Sequence, residues 1–258
     1  MKEYLEFALK IGEYAKKEML DNFDNNNELS YKSDRTVVTE IDKKINHYLI
    51  EEVNKEYPNH CVIGEEEKYI IDSKYVWVCD PIDGTGMYTN KIPVSVFSLA
   101  LVLDGEPIVG VVIDPYLNKT YTAIKGEGAY CNNNKIHVNN NEFGDLGYRV
   151  NFEMWNNSKF NNLRIIENML PYVKISSIGS VARSCMAIAS GDFSCDLFPG
   201  CEHANCDMAA SYLIVTEAGG KVTDYNGNLQ RYDKDLNGAI ITNKVSHEKV
   251  LEYVKEYK

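Results

Sequence analysis

The segment Val76-Trp77-Val78-Cys79-Asp80-Pro81-Ile82-Asp83-Gly84-Thr85 reads as a short buried strand that runs directly into a turn carrying two carboxylates. Val76, Trp77 and Val78 are the β-branched and aromatic residues that an enclosed, pleated surface favours. Pro81 holds the backbone between the aspartates, and Gly84 permits a tight turn after them. Such a bend aims the Asp80 and Asp83 carboxylates and the Ile82 carbonyl at one point, which is what hard divalent cations with oxygen ligands need. Thr85 to Thr89 is placed to open a helix whose N–H groups face an anion. A plainer alternative stays open on these residues alone. Asp-Pro and Asp-Gly are common turn pairs, and both carboxylates would then serve only the turn.

Outward from this turn, apolar periodicity separates helices from hairpins. Val94 to Leu103 and Pro107 to Ile113 are apolar runs joined by Asp104-Gly105, a strong hairpin signal. Lys119 to Ile124 reads as the next strand of the meander, and Asn132-Asn133-Asn134 as another turn. Toward the N-terminus, residues 2–21 place Leu5, Ala8, Leu9, Gly12, Ala15 and Met19 on one helical face. Ile41, Ile45, Leu49 and Val53 mark a second helix, which Tyr57-Pro58-Asn59 ends. The Asn-rich stretch from Asp21 to Lys32 reads as a mobile loop. Residues 139–174 show no readable pattern. Beyond them, Val181 to Ser190 and Met208 to Ala218 read as helices, the second stopped by Gly219-Gly220. Lys221 to Thr223 and Ala239 to Thr242 read as strands, and Ser246 as the cap of a last helix that turns Val250, Leu251 and Val254 inward. Antiparallel hairpins with helices in separate blocks point to α+β and away from a doubly wound sheet.

Composition narrows the function. The chain has 258 residues, 44% of them hydrophobic and 25% charged. That is an ordinary balance for a globular protein, and enough chain for a sizeable core. With 27 Lys and Arg against 38 Asp and Glu, the net charge is -11. Such a surface repels nucleic acid and anionic lipid, so neither is an expected partner. An acidic protein that takes an anionic substrate needs local positive charge, which bound metal ions supply. The longest apolar runs, such as Ser95 to Leu103, fall well short of the roughly 20 residues a bilayer requires. The opening MKEYLEFALKIGEYAKK carries acids throughout and reads as an amphipathic helix, not a signal peptide. Seven cysteines, an odd count without a CxxC, read as free thiols in a reducing cytoplasm.

Three further carboxylate positions accompany the aspartate turn. Gly64-Glu65-Glu66-Glu67 taken alone reads as a solvated acidic turn. Asp207, before Met208-Ala209-Ala210-Ser211, reads alone as a helix N-cap followed by small residues that allow close packing. Asp42, in Val38-Thr39-Glu40-Ile41-Asp42, also lies near a helix start.

Taken together, these pieces resemble the inositol monophosphatase family of metal-dependent, lithium-sensitive phosphatases. The resemblance rests on Glu65-Glu66, Asp80-Pro81-Ile82-Asp83-Gly84-Thr85 and Asp207-Met208-Ala209-Ala210, in the family's order and spacing. Ile92-Pro93, Gly126-Glu127-Gly128-Ala129 and Thr216-Glu217-Ala218-Gly219-Gly220 extend it from the first helix to the last. It implies a layered α-β-α-β-α sandwich. It also implies one phosphatase domain over 1–258, with an α+β half of about 1–138 and an α/β half of about 139–258. The implied reaction is magnesium-dependent hydrolysis of a small phosphate monoester, with two or three Mg2+ ions and Mn2+ able to substitute. Glu65, Asp80 and the Ile82 carbonyl match the ligands of a first metal; Asp80, Asp83 and Asp207 match those of a second. Glu65, Thr85 and Asp42 match the catalytic positions, Thr85 orienting the attacking water with Asp42 behind it. Asp83, Gly84, Thr85, Gly179, Ser180, Val181 and Asp207 match the substrate side. A homodimer is implied as well.

The departures bear on the substrate. Cys206 stands where the family has tryptophan, and Gly86-Met87 follows Thr85 where Thr or Glu and then Asn are usual. An ungapped match puts Gly200 where inositol-specific members carry a sugar-gripping glutamate, with Glu202 and His203 nearby. Inositol monophosphate or a related polyol phosphate is therefore one reading. Fructose 1,6-bisphosphate, histidinol phosphate and phosphoadenosine phosphate are the others. A regulatory protein that binds metal or sugar phosphate without hydrolysing it is the competitor from another class. No cysteine sits in a phosphate-cradling loop followed by arginine, which disfavours a cysteine phosphatase. Cys195, Cys201, His203 and Cys206 lie close in sequence, but their spacing fits no common zinc pattern. Near Lys32, the family's mobile loop delivers a lysine toward the site.

Overall fold

Two helices with an antiparallel strand pair between them open the chain, and the helices cover one face of a large sheet. In this computed structural model, residues 1–25, 29–31, 37–154 and 159–257 are described. Helix α1 (Lys2–Asn22) buries Phe7, Ala8, Ile11, Ala15 and Met19, with Leu5 and Leu9 half-buried beside them. Strands β1 (Leu29–Tyr31) and β2 (Val37–Thr39) form an antiparallel pair. The stretch expected to be a mobile loop thus holds the end of α1 and a strand, because Leu29-Ser30-Tyr31 alternates among the asparagines. Residues 26–28 and Lys32 lie outside the described residues. Helix α2 (Glu40–Glu56) starts on a capping box, in which Thr39 and Asp42 satisfy each other's backbone N–H. Ile41, Ile45, Leu49 and Val53 form its inward face.

The large sheet follows as β3 (Cys61–Gly64), β4 (Lys68–Tyr69) and β5 (Tyr75–Asp83), with the short helix α3 (Thr85–Thr89) after β5. It continues through β6 (Val96–Leu103), β7 (Glu106–Asp114), β8 (Lys119–Ile124), β9 (Gly128–Cys131) and β10 (Asn134–Lys135). Its eight strands run in the order β10-β9-β8-β7-β6-β5-β3-β4, antiparallel throughout except for the parallel β3–β5 pair. At the β6–β7 turn both Asp104 and Gly105 take positive φ, as a two-residue hairpin loop requires.

Residues 139–174, unreadable in sequence, supply β11 (Arg149–Phe152), α4 (Asn162–Met169) and the start of β12 (Lys174–Ser176). These elements are short, and their apolar signal is correspondingly weak. Helix α5 (Val181–Ala189), β13 (Cys195–Phe198), α6 (Ala204–Glu217), β14 (Lys221–Thr223), β15 (Ala239–Thr242) and α7 (His247–Tyr257) complete the chain. The smaller sheet has the order β12-β11-β13-β15-β14, with β11 parallel to both its neighbours. Ser246 precedes α7, but its hydroxyl donates to the Asn141 carbonyl instead of capping the helix.

Three apolar cores separate five layers in the order α-β-α-β-α. The first lies between α1 and α2 and the large sheet, the second around α5 and α6 between the sheets, the third under α4 and α7. Strand alternation assigns the side chains. On β5, Val76 and Val78 enter the middle core while Trp77 and Cys79 enter the first. On β13, Phe198 faces the middle core while Cys195 and Leu197 face the third. Helix α6 is apolar on all sides because both sheets enclose it. Its small residues meet the large sheet closely: a Cβ on Gly110 would lie 3.2 Å from the Ala210 carbonyl.

Candidate active site

Asp80 and Asp83 are three residues apart, so a regular strand would send them to opposite faces. The β5–β6 register shows how they meet. Asp80 pairs with Ser98 and Asp83 with Val96, so β5 carries one extra residue, a β-bulge at Pro81-Ile82. Ile82 turns into the first core, and both carboxylates emerge on the α5–α6 side. There they meet Asp207. Carboxylate oxygens of Asp80, Asp83 and Asp207 all lie within 4.8 Å of one another. Asp80 is 2% exposed, Asp83 4% and Asp207 9%.

Burial of like charges makes this cluster electrostatically costly. The Asp80 carboxyl is pushed well above the usual carboxylate range by burial, then by Glu65, Asp207, Asp83 and Asp42. Burial raises Asp83 to about 6 against hydrogen bonds that pull it down. Those bonds come from the start of α5: the Ser180 hydroxyl at 2.6 Å, Ala182 N–H at 2.7 Å and Val181 N–H at 3.3 Å. Three buried carboxylates with converging oxygens form a hard, anionic donor set suited to a divalent cation. The donor set therefore fits a metal of the magnesium type.

A second group sits behind the bulge. The Asp80 carboxylate accepts from Ile82 N–H at 2.9 Å, which tightens the turn. The Thr85 hydroxyl donates to the Ile82 carbonyl at 2.9 Å and stands 3.4 Å from Asp42 Oδ1. Asp42 is fully buried, its other oxygen held by Thr39 N–H and hydroxyl. Burial lifts it to about 7, Thr39 pulls it down, and Glu65 and Glu66 add to the rise. Asp42 is thus both the third helical residue of a capping box and the neighbour of Thr85.

Glu65 lies half-buried at the end of β3, its N–H on the Cys79 carbonyl at 3.1 Å. Its charge is the largest single electrostatic influence on Asp80, although it stands outside the group of three converging carboxylates. The acidic turn is held by a residue not singled out in sequence. Buried Asn46 of α2 accepts from Glu66 N–H and Glu67 N–H, both at 3.2 Å, and donates to the Glu67 carbonyl at 3.1 Å. A Cβ on Gly64 would lie 2.0 Å from the Asn46 amide oxygen, so only glycine fits there. The available signal was a polar side chain one turn after Asp42, beside the Ile45–Leu49 stripe.

Asp207 is not a helix cap. Helix α6 begins at Ala204, with His203 as N-cap in the left-handed region, and Asp207 lies in the first turn. Apolar periodicity could not place that start, because the whole turn is buried. Gly84 (φ 87) caps α3, and a Cβ there would lie 2.9 Å from the Gly179 carbonyl. Gly84, Gly179, Ser180 and Val181 thus meet at one seam beside Asp83. Cys195, Cys201, His203 and Cys206 do not assemble. Among the described residues, the only group of three or more His, Cys, Asp or Glu with converging ligand atoms is Asp80, Asp83 and Asp207. Cys195 belongs to the third core and Cys206 to the middle one.

The family model described as the inositol monophosphatase family matches residues 1–258. The chain belongs to that family. Inositol monophosphatase 1 of Rattus norvegicus is 31% identical over 238 residues, covering 87% of this chain and 84% of the relative. A fructose-1,6-bisphosphatase/inositol-1-monophosphatase of Thermotoga maritima is 33% identical over 229 residues, covering 86% and 84%. Among solved structures, an IMPase of Thermotoga maritima superposes with a TM-score of 0.88 at 28% identity, covering 98% of this chain and 97% of that one. The protein is a phosphatase, a phosphoric monoester hydrolase, of a family that is generally metal-dependent. No helix among the described residues is long and apolar enough to cross a membrane.

Proposed function

We propose that the inositol monophosphatase family member described here hydrolyses a small polyol or sugar phosphate monoester with Mg2+, two or three ions, held by Glu65, Asp80, Asp83, Asp207 and the Ile82 carbonyl. The observation that carries this is the convergence of three buried carboxylates within 4.8 Å. What the cation supplies when bound is neutralisation of the phosphate oxygens and acidification of a water. The chain's own groups do the positioning. The Thr85 proton has two acceptors, Ile82 O and Asp42. When the Ile82 carbonyl is otherwise engaged, the proton goes to Asp42, and the hydroxyl lone pairs are left to accept from a water and orient it for in-line attack. Gly84, Thr85, Gly179, Ser180 and Val181 line the substrate side, where the Ser180 hydroxyl and Val181 N–H are taken up by Asp83 and the Gly179 N–H by Glu153.

The substrate reading is broader than inositol phosphate. Gly200 has φ 79, and a Cβ there would lie 2.7 Å from Gly238 N, so this loop has no room for the sugar-gripping glutamate at that position. The relative from Thermotoga maritima, named for both fructose bisphosphate and inositol phosphate, supports the wider reading. We propose further that residues 1–258 act as one domain, in the cytoplasm, as a homodimer; the family resemblance and the free thiols support this. Light scattering on the purified protein tests the dimer.

The deciding experiment measures phosphate release from inositol monophosphate, fructose 1,6-bisphosphate, histidinol phosphate and phosphoadenosine phosphate, with Mg2+ and with chelator. Release is expected only with metal, and Asp80→Asn is expected to abolish it. Full magnesium-dependent turnover in Asp80→Asn would defeat the ligand assignment, and a strict preference for inositol monophosphate would defeat the wider specificity.

A further inference from the structure

The turn at residues 178–182 is pinned from both sides. Toward the large sheet, Ser180, Val181 and Ala182 hold Asp83. Toward the small sheet, Ile178 N–H donates to Asn151 Oδ1 at 3.0 Å, and Gly179 N–H donates to Glu153 Oε1 at 3.3 Å. Asn151 Nδ2 in turn donates to the same Glu153 oxygen at 3.1 Å and to Asp196 Oδ1 at 3.0 Å. The Ser184 hydroxyl closes the chain on the other Asp196 oxygen. Asn151, Ser184 and Asp196 are fully enclosed, and Glu153 is 3% exposed.

Two carboxyls this deep are a costly way to stitch a turn to a sheet. Burial, Asp196 and Asp83 raise Glu153 to about 8, so at neutral pH it is mostly a neutral acceptor for the Gly179 N–H. On its other side Gly179 packs against Met87 of α3, whose methyl lies 2.4 Å from where a Cβ would stand. A displacement of this turn therefore moves the donors that hold Asp83.

We propose that Glu153, acting with Asn151 through the Gly179–Ala182 turn, is a positioning residue that sets the orientation of the Asp83 carboxylate. The inference rests on the reading of Asp83 as a metal ligand, and it assigns the small sheet a part in building that ligand.

The test compares Glu153→Gln, which keeps the acceptor oxygen, with Glu153→Leu, which removes it at similar bulk. Amide hydrogen exchange of Val181 and Ala182 is read first, without metal, followed by Mn2+ binding calorimetry and the Mg2+ dependence of turnover. In Glu153→Leu, exchange at both amides should quicken, and metal affinity should drop roughly 10- to 100-fold, as is typical when a ligand's hydrogen-bonded support is lost. Glu153→Gln should restore both. Unchanged exchange and metal affinity in Glu153→Leu overturn the proposal, even if melting temperature falls, since a merely structural role moves only the latter. Equal defects in both variants overturn it too. A wild-type protein with no metal response, alongside quickened exchange in Glu153→Leu, sinks the metal-phosphatase reading while leaving the link from Glu153 to the Asp83 donors standing.

Discussion

Thr85 shows how much one side chain carries. Its single proton lies between Ile82 O and Asp42. Thr85→Ala should lower kcat by roughly 10²- to 10⁴-fold, the usual worth of a positioned proton-handling group, with little change in metal affinity. A parallel loss of metal affinity would show that Thr85 instead braces the ligands. Asn46 makes the opposite prediction: Asn46→Ala releases the Glu65–Glu67 turn, so the Mg2+ concentration for half-activation should rise roughly 10- to 100-fold while saturated kcat changes less. Titration of activity against Mg2+ separates the two. Asp80 and Asp83 were visible in sequence from the strand and turn that carry them, and Glu65, Asp207 and Thr85 through the family resemblance. Asn46, Asn151 and Glu153 were not, because an amide or carboxyl that holds a distant backbone N–H leaves no spacing to read.

Helix boundaries followed the apolar pattern wherever one face was wet. Strands β6, β7 and β15 are buried along nearly their whole length and were legible as apolar runs bounded by turns, whereas the wet-face contrast set the limits of helices α1 and α2. That contrast fails where a helix is enclosed on every side. Helix α6 begins four residues ahead of its expected start at Met208, because Ala204 to Asp207 are all buried and give no polar face to mark the turn. The parallel pairings of β11 with β12 and β13 were also hidden, since no turn motif links strands joined through a helix. The β5 bulge and the Gly84–Gly179 contact are rigid features of this layer. Gly84→Ala should destabilise the protein by at least about 1–2 kcal/mol, the cost of a left-handed backbone for a residue with a Cβ. The 2.9 Å approach to the Gly179 carbonyl adds to that cost and should lower turnover as well. Thermal melting at wild-type stability would show that the turn adapts.

Across the molecule, the buried carboxyls link stability to pH. Asp42 rises to about 7 and Glu153 to about 8, from ordinary values of 3.8 and 4.5. Asp196 and Asp83 face Glu153, and Glu65 and Glu66 act on Asp42. Below these folded-state values the native protein holds protons that the unfolded chain has already lost, so stability falls as pH climbs. Buried His247, lowered to about 4 from 6.5, has the opposite sign, but its share is nearly complete once pH passes 7. Metal-free protein should therefore lose melting temperature between about pH 7 and 8. Mg2+ should stabilise it more at the upper end, where the carboxyls ionise. A flat or rising curve in chelator contradicts this. The thiols give an independent check on the layers. Cys61, Cys79, Cys185, Cys195 and Cys206 are buried, so a thiol reagent should reach only Cys131 and Cys201 before unfolding.

The bond from Ser180 to Asp83 spans 97 positions, and Asp207 comes later still. A nascent chain that has finished only its large sheet displays the aspartate turn with neither partner. On the proposed ligand set, competence therefore arrives late in synthesis, after α6 has left the ribosome, and an interrupted polypeptide lacks the carboxylate that completes the set.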